Sequence, residues 1–255
     1  MSILRSAVLT SLLVFLAAFA AAQPLRIAAA SDLQAALPNI AAAFEKDTGH
    51  AVALTFGSSG NFFTQLQNGA PFDLFLSADI DYPRQLERDG RAEKGSLYEY
   101  ATGRLALWTR NDSRIDLTRG LAVLTDPAVR RIAIANPEHA PYGRAAVAAL
   151  HHERIDEGVK AKLVRGENIS QAAQFVQSGN ADVGIVALSL ALAPALKNSG
   201  RFVEVPESFY PPIEQAAVVV AASRQKAVAR QFVEFLKQPA SRRTLQSYGF
   251  VVSQQ

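Results

Sequence analysis

The sequence predicts an α/β fold of two lobes, with mostly parallel sheets flanked by helices and a ligand cleft between the lobes. Three observations predict it. Short apolar runs alternate with 3.6-period stretches along most of the chain, the pattern of repeated strand–helix–strand units. The runs are nearly continuous in apolar residues, as strands covered on both faces require. The chain has 255 residues, enough for one large or two smaller cores.

The elements follow in order. Residues 1–22 stand apart: Arg5 precedes an apolar run from Ala7 to Ala22, broken only by Thr10 and Ser11. Ala20-Ala21-Ala22 then offers a small-residue exit before Gln23. This is the layout of a secretory signal peptide cleaved after Ala22, and the run is short for a bilayer span of roughly 20 residues. Strands are expected at Leu25–Ala30, Ala51–Phe56, Phe72–Leu76, Arg104–Thr109, Arg131–Ala135, Ala161–Val164, Asp182–Val186 and Gln215–Ala221. Leu33, Leu37, Ile40 and Phe44 mark the first helical face, with a bend or an irregular first turn expected at Pro38 and closure at Gly49. Later helices are expected at Phe62–Asn68, Tyr82–Arg88, Arg144–His151, Ser170–Ser178, Lys226–Lys237 and Ala240–Tyr248. The chain divides into residues 23–103 as lobe 1, 104–213 as lobe 2, and 214–255 as a return segment completing mainly lobe 1.

Composition narrows the function. With 49% apolar and 19% charged residues, the chain is not disordered. It has no cysteine. That excludes disulfides, cysteine-based zinc or iron–sulfur sites, a cysteine nucleophile and the lipid anchor of bacterial lipoproteins. A net charge of +3 with scattered basic residues offers no stripe for nucleic acid. A freely diffusing exported protein needs an outer wall to retain it, so the expected location is the periplasm.

The ends of four strand segments carry the functional signal. Ala29-Ala30-Ser31-Asp32, Gly57-Ser58-Ser59-Gly60-Asn61, Asn136-Pro137-Glu138-His139-Ala140-Pro141-Tyr142-Gly143 and Gly166-Glu167-Asn168-Ile169 each lead into a helix. In open α/β sheets, ligands bind beyond the carboxyl ends of strands. Helix N-termini there present free N–H groups and partial positive charge, which suits an anion. One such turn is ordinary capping, since Ser caps helices and Gly fits tight turns. Four in one chain, two bearing hydroxyls, point to an oxyanion.

Other chemistries fit less well. Gly57-Ser58-Ser59-Gly60 is not the G-x-S-x-G elbow, because Asn61 stands where the second Gly is needed. No phosphate-binding or dinucleotide glycine fingerprint occurs. His151 and His152 are adjacent on an expected helix and do not face one another. His139 has no carboxylate spaced to make a triad evident. Trp108 reads as core.

At these motifs the sequence resembles the periplasmic molybdate-binding proteins (ModA type) that feed ABC importers. The resemblance spans nearly the whole chain after residue 22. It rests on Ala28-Ala29-Ala30-Ser31, Phe56-Gly57-Ser58-Ser59-Gly60, Gly69-Ala70-Pro71-Phe72-Asp73-Leu74-Phe75, Asn136 to Gly143 and Tyr248-Gly249-Phe250. It implies a type II periplasmic binding protein that closes on one tetrahedral oxyanion, molybdate or tungstate. Such a protein has no cofactor, no enzymatic activity and a membrane permease as partner, and is expected to be a monomer.

By motif, Ser31 and Ser59 would give hydroxyl and backbone N–H donors, and Tyr142 and Ile169 backbone N–H donors. Asp32 and Ser58 are further candidates. A Tyr hydroxyl found in some members is replaced here by Ala187. Burying a dianion is costly, but about seven charge-assisted bonds of roughly 1.5–3 kcal/mol each could offset it without Lys or Arg. Asp32 is discordant, because molybdate at neutral pH only accepts hydrogen bonds. The expectation is that Asp32 faces outward from an early helical turn and lends only its backbone N–H. The rival is an acceptor for a protonated anion such as phosphate, or a sulfate-type receptor. More remote are an exported hydrolase using Ser59 and the effector domain of a regulator.

Overall fold

The computed structural model describes residues 23–252. The signal-peptide assignment therefore falls outside the described residues. Those residues form two five-stranded sheets with helices on their faces. The first holds β1 (Leu25–Ala30), β2 (Val52–Gly57), β3 (Leu74–Ser77), β4 (Tyr98–Gly103) and, far along the chain, β10 (Ile213–Val219). Its order is β2-β1-β3-β10-β4. The second holds β5 (Leu105–Arg110), β6 (Ile132–Ala135), β7 (Leu163–Gly166), β8 (Val183–Ala187) and β9 (Gly200–Glu204), in the order β7-β6-β8-β5-β9.

Both sheets are mixed. β1 pairs in parallel with β2 and β3, and β6 with β7 and β8. β10 and β5 run antiparallel to both of their neighbours. The expectation of mostly parallel sheets holds only for the strand–helix–strand portions. The two exceptions are the strands that carry the chain across from the other sheet. They arrive without a covering helix of their own sheet, so nothing makes them run parallel.

The helices are α1 (Leu37–Thr48), α2 (Ser59–Gln67), α3 (Asp81–Arg88), α4 (Pro141–His152), α5 (Ile169–Gln177), α6 (Lys226–Lys237) and α7 (Pro239–Ser247), with several single helical turns between them. Pro38 lies in the first turn of α1, where its missing N–H costs nothing. No bend forms there; the irregular start is the alternative observed, with Ser31–Gln34 forming a separate 3-10 turn before α1. Gly49, at φ 74°, closes α1 with its N–H on the Glu45 carbonyl at 2.8 Å.

Each sheet has its own core. Phe44 meets Phe232 and Phe235 edge-on at 5.0 and 5.5 Å between ring centres in the first. Trp108 is fully buried in the second. The chain crosses between the sheets from Gly103 to Leu105 and again between Glu204 and Ile213. The Leu105 N–H donates to the Tyr210 hydroxyl at 3.0 Å, tying the two crossings together.

Candidate anion-binding site

The carboxyl ends of β1 and β2 face those of β6 and β7 across the gap between the sheets. Ser31, Asp32, Ser58, Ser59, Tyr142 and Ile169 all line one small cavity there, with Ala78, Pro141 and Asn168. It leaves about 10 Å³ for the centre of a water-sized sphere, room for one small species and far below the roughly 300–1,000 Å³ of pockets for drug-sized molecules. No Lys or Arg is among its lining residues, and no cluster of His, Asp or Glu suited to a metal occurs among the described residues.

Local sequence explains each wall. Ser31 opens the 3-10 turn after β1. Ser58, with extended backbone, precedes α2, so Ser59 takes its first position. Pro141 starts α4 and places Tyr142 second. The Asn168 side chain accepts the Ser170 and Gln171 N–H groups at 3.1 and 3.0 Å, which caps α5 one residue before Ile169. First-turn N–H groups have no acceptor within their own helix.

The hydroxyls divide by role. Ser59 Oγ accepts the Ala78 N–H at 2.9 Å, so its own proton remains available to a ligand. Ser31 Oγ stands 3.4 Å from the Ser170 N–H across the gap and keeps its proton in the same way. Ser58 differs. Its hydroxyl donates to the His139 carbonyl at 2.6 Å, and His139 Nδ1 lies 2.8 Å from the same oxygen. Asn136 Nδ2 sits 3.1 Å from Nε2. A consistent assignment has Nδ1–H donating to Ser58 and Nε2 accepting from Asn136. The Ser58 side chain therefore joins the lobes, and its proton is not aimed at the cavity.

Further contacts hold the lobes together. The Gly60 N–H donates to the His139 carbonyl at 2.9 Å. Asn61 bonds Glu167, and Arg144 pairs with Asp79. Arg144 also donates to the Tyr82 hydroxyl at 3.2 Å. A Cβ on Gly60 would stand 2.6 Å from the His139 carbonyl oxygen and 2.9 Å from its Cα. Gly60→Ala is therefore expected to fold normally but resist closure. A packing conflict of roughly 1–3 kcal/mol gives anion binding about ten- to a hundredfold weaker, measurable by calorimetry.

Asp32 corrects the expectation of an outward-facing residue. It is fully buried. Its Oδ2 accepts from Tyr142 Oη at 2.9 Å and from Gln215 Nε2 at 2.6 Å. Its carbonyl accepts from Ser189 Oγ at 2.7 Å. Tyr100 Oη donates to Gln215 Oε1 at 2.8 Å. Oδ1 is buried without a partner. Burial pushes the carboxyl from 3.8 up to about 6, with the Gln215 and Tyr142 bonds pulling it partly back. The side chain turns inward because Gln215 and Tyr142 supply donors there. Gln215 and Tyr100 escaped the sequence reading. The signal was a Gln opening the otherwise apolar run Gln215–Ala221.

Comparison with known proteins follows the same lines. The family model of bacterial extracellular solute-binding proteins matches residues 25–251. The molybdate-binding protein ModA of Azotobacter vinelandii is 42% identical over 235 residues, 92% of each chain. That of Rhodobacter capsulatus is 39% identical over 241 residues, covering 94% of this chain and 93% of its own. The solved structure of the Azotobacter vinelandii periplasmic molybdate-binding protein superposes with a TM-score of 0.85 at 36% identity, over 90% of this chain and 100% of that one. The fold, the cavity at the strand ends and this similarity over nearly the full length agree: the chain belongs to the bacterial extracellular solute-binding proteins, in their ModA branch.

Proposed function

We propose that the protein captures molybdate, and tungstate with it, and delivers it to the membrane permease of an ABC importer. It is a binding protein and not an enzyme. The carrying observation is the small cavity whose walls offer two serine hydroxyls from the first lobe and first-turn N–H groups from both lobes, with no Lys or Arg. Ser31 and Ser59 give hydroxyl and N–H donors; Tyr142 and Ile169 give N–H donors. A donor set of this kind suits a bare dianion, and charge-assisted bonds offset its desolvation. Because the donors are split between lobes, the anion favours the closed state, and closure is what a permease reads. Similarity to ModA proteins supports the choice of anion.

Residues 23–103 with 214–255 form one lobe in this reading, and 104–213 the other. Export by residues 1–22 places the protein in the periplasm, as a monomer. No described helix is long and apolar enough to cross a membrane. One observation favours a second reading, a receptor for a protonated oxyanion such as phosphate: the free oxygen of Asp32. Calorimetric titration with molybdate, tungstate, sulfate and phosphate decides. Tight binding of the first two with weak or no binding of the others is expected; tight phosphate binding without molybdate would overturn the assignment.

A further inference from the structure

The Asp32 carboxyl is the one group lining the cavity that conflicts with a dianion. Oδ2 is committed to two donors, Tyr142 Oη and Gln215 Nε2. A carboxylate oxygen holding two donors is the poor place for a proton. Oδ1 is the opposite: it is buried, meets no donor in good hydrogen-bond geometry, and belongs to a residue that lines the cavity. The nearby backbone N–H groups of Asp32 and Leu33 favour the ionised carboxyl, but less than burial disfavours it. A buried polar atom without a partner is costly. Left ionised, it would also repel the anion in a region of low dielectric. Protonated, it becomes one more O–H donor within the cavity wall.

The surroundings supply no charge to prevent this. Tyr142 from α4, Gln215 from β10, Tyr100 from β4, Ser189 beyond β8 and the backbone N–H groups of Asp32 and Leu33 are the polar groups bonded to Asp32 or coupled to it, and Tyr210 from the second crossing is coupled to Tyr142. Burial holds the Tyr100 and Tyr142 hydroxyls well above their ordinary range, so both stay neutral. The imidazole of His139, bonded to Ser58, is not among the residues that line the cavity.

We propose that Asp32 takes up one proton on Oδ1 as the anion enters, and donates it as a hydrogen bond to an anion oxygen. This rests on the molybdate reading above. The balance is simple: one solvent proton bonds to the carboxylate as the dianion is captured, no other bond changes, and the proton leaves again on release. Asp32 thereby makes capture pH-dependent, although the ligand itself does not titrate between pH 6 and 9. Asp32 is already disposed to hold a proton in the empty protein, and a neighbouring dianion strengthens that tendency.

The test is calorimetric titration with molybdate at pH 6 to 9, in buffers of different ionisation enthalpy, on the protein and on Asp32→Asn and His139→Gln. The protein is expected to take up close to one proton per anion at pH 8. Its affinity should fall about tenfold per pH unit toward pH 9, the slope for one linked proton. Asn offers an N–H donor without titrating. Asp32→Asn should therefore bind with no proton uptake and no slope, at least about tenfold tighter than the parent at pH 9. His139→Gln should keep the proton uptake at whatever affinity it retains. Tight molybdate binding by the parent without proton uptake overturns the proposal and leaves the function standing. Loss of molybdate binding in Asp32→Asn, or loss of the proton uptake in His139→Gln, also overturns it. If the parent ignores molybdate but binds phosphate, and Asp32→Asn abolishes that, both the proposal and the molybdate reading fall.

Discussion

Ser59→Ala is expected to weaken molybdate binding by about ten- to a hundredfold, the worth of one hydrogen bond to a charged group. The same change should lower the stability of the empty protein. Ser59 Oγ is the acceptor of the buried Ala78 N–H. Removing it strands that donor at a cost of roughly 1–3 kcal/mol. Calorimetry reads the first effect and urea unfolding without anion the second. Both are needed, because Ser59 is at once a wall of the cavity and the brace that holds the turn after β3. An affinity unchanged by the substitution would remove Ser59 from the site. Ser31→Ala is the natural companion, because Ser31 contacts the opposite lobe through Ser170.

Stability of the empty protein should also depend on pH through Asp32. Its carboxyl is raised from 3.8 to about 6 by burial. Between those values the folded chain holds a proton that the unfolded chain has lost. The contribution of Asp32 is therefore full below about pH 4, falls as pH rises, and levels off above about pH 6. A shift near two units corresponds to about 3 kcal/mol. Asn at this position does not titrate. The melting temperature of the parent should thus drop relative to Asp32→Asn by about 6–12 °C between pH 4 and pH 7, at roughly 2–4 °C per kcal/mol. Parallel melting curves across that range would mean that Asp32 is ionised in the fold at all these pH values.

Much of the architecture was legible because the strands that build the two cores are mostly apolar. Leu25–Ala30 was read with its bounds as observed, and Arg131–Ala135 began one residue early. The strands that escaped, β4 and β9, lie at sheet edges. Half-exposed and partly polar, Tyr98–Gly103 and Gly200–Glu204 carry no apolar run to announce them. The strand expected at Ala161–Val164 begins two residues later, after a helical turn at Lys160–Lys162. Element ends depend on caps, and caps depend on neighbours.

The site divides in the same way. The four turns that hold Ser31, Ser59, Tyr142 and Ile169 could be picked out because a helix start after a strand is a local event, written in adjacent residues; these four residues within them are what the family resemblance implies. Their convergence on one cavity follows from the strand order that sets β1 and β2 opposite β6 and β7. What Ser58, His139 and Asp32 do was not local. Ser58 reaches a carbonyl 81 positions away, and Asp32 meets donors 110 and 183 positions away. A sequence read in order shows Asp32 as a polar residue at a helix start, where solvent is its default. Only the return of β10 to the first sheet brings Gln215 beside it. Only the approach of α4 adds Tyr142. The absence of cysteine, the alternation of strands and helices and the four small-residue turns were thus the work of the sequence alone. Whether a carboxyl among them faces water or a buried set of donors was decided by the tertiary structure, because the desolvation that raises its pKa exists only where distant segments close around it.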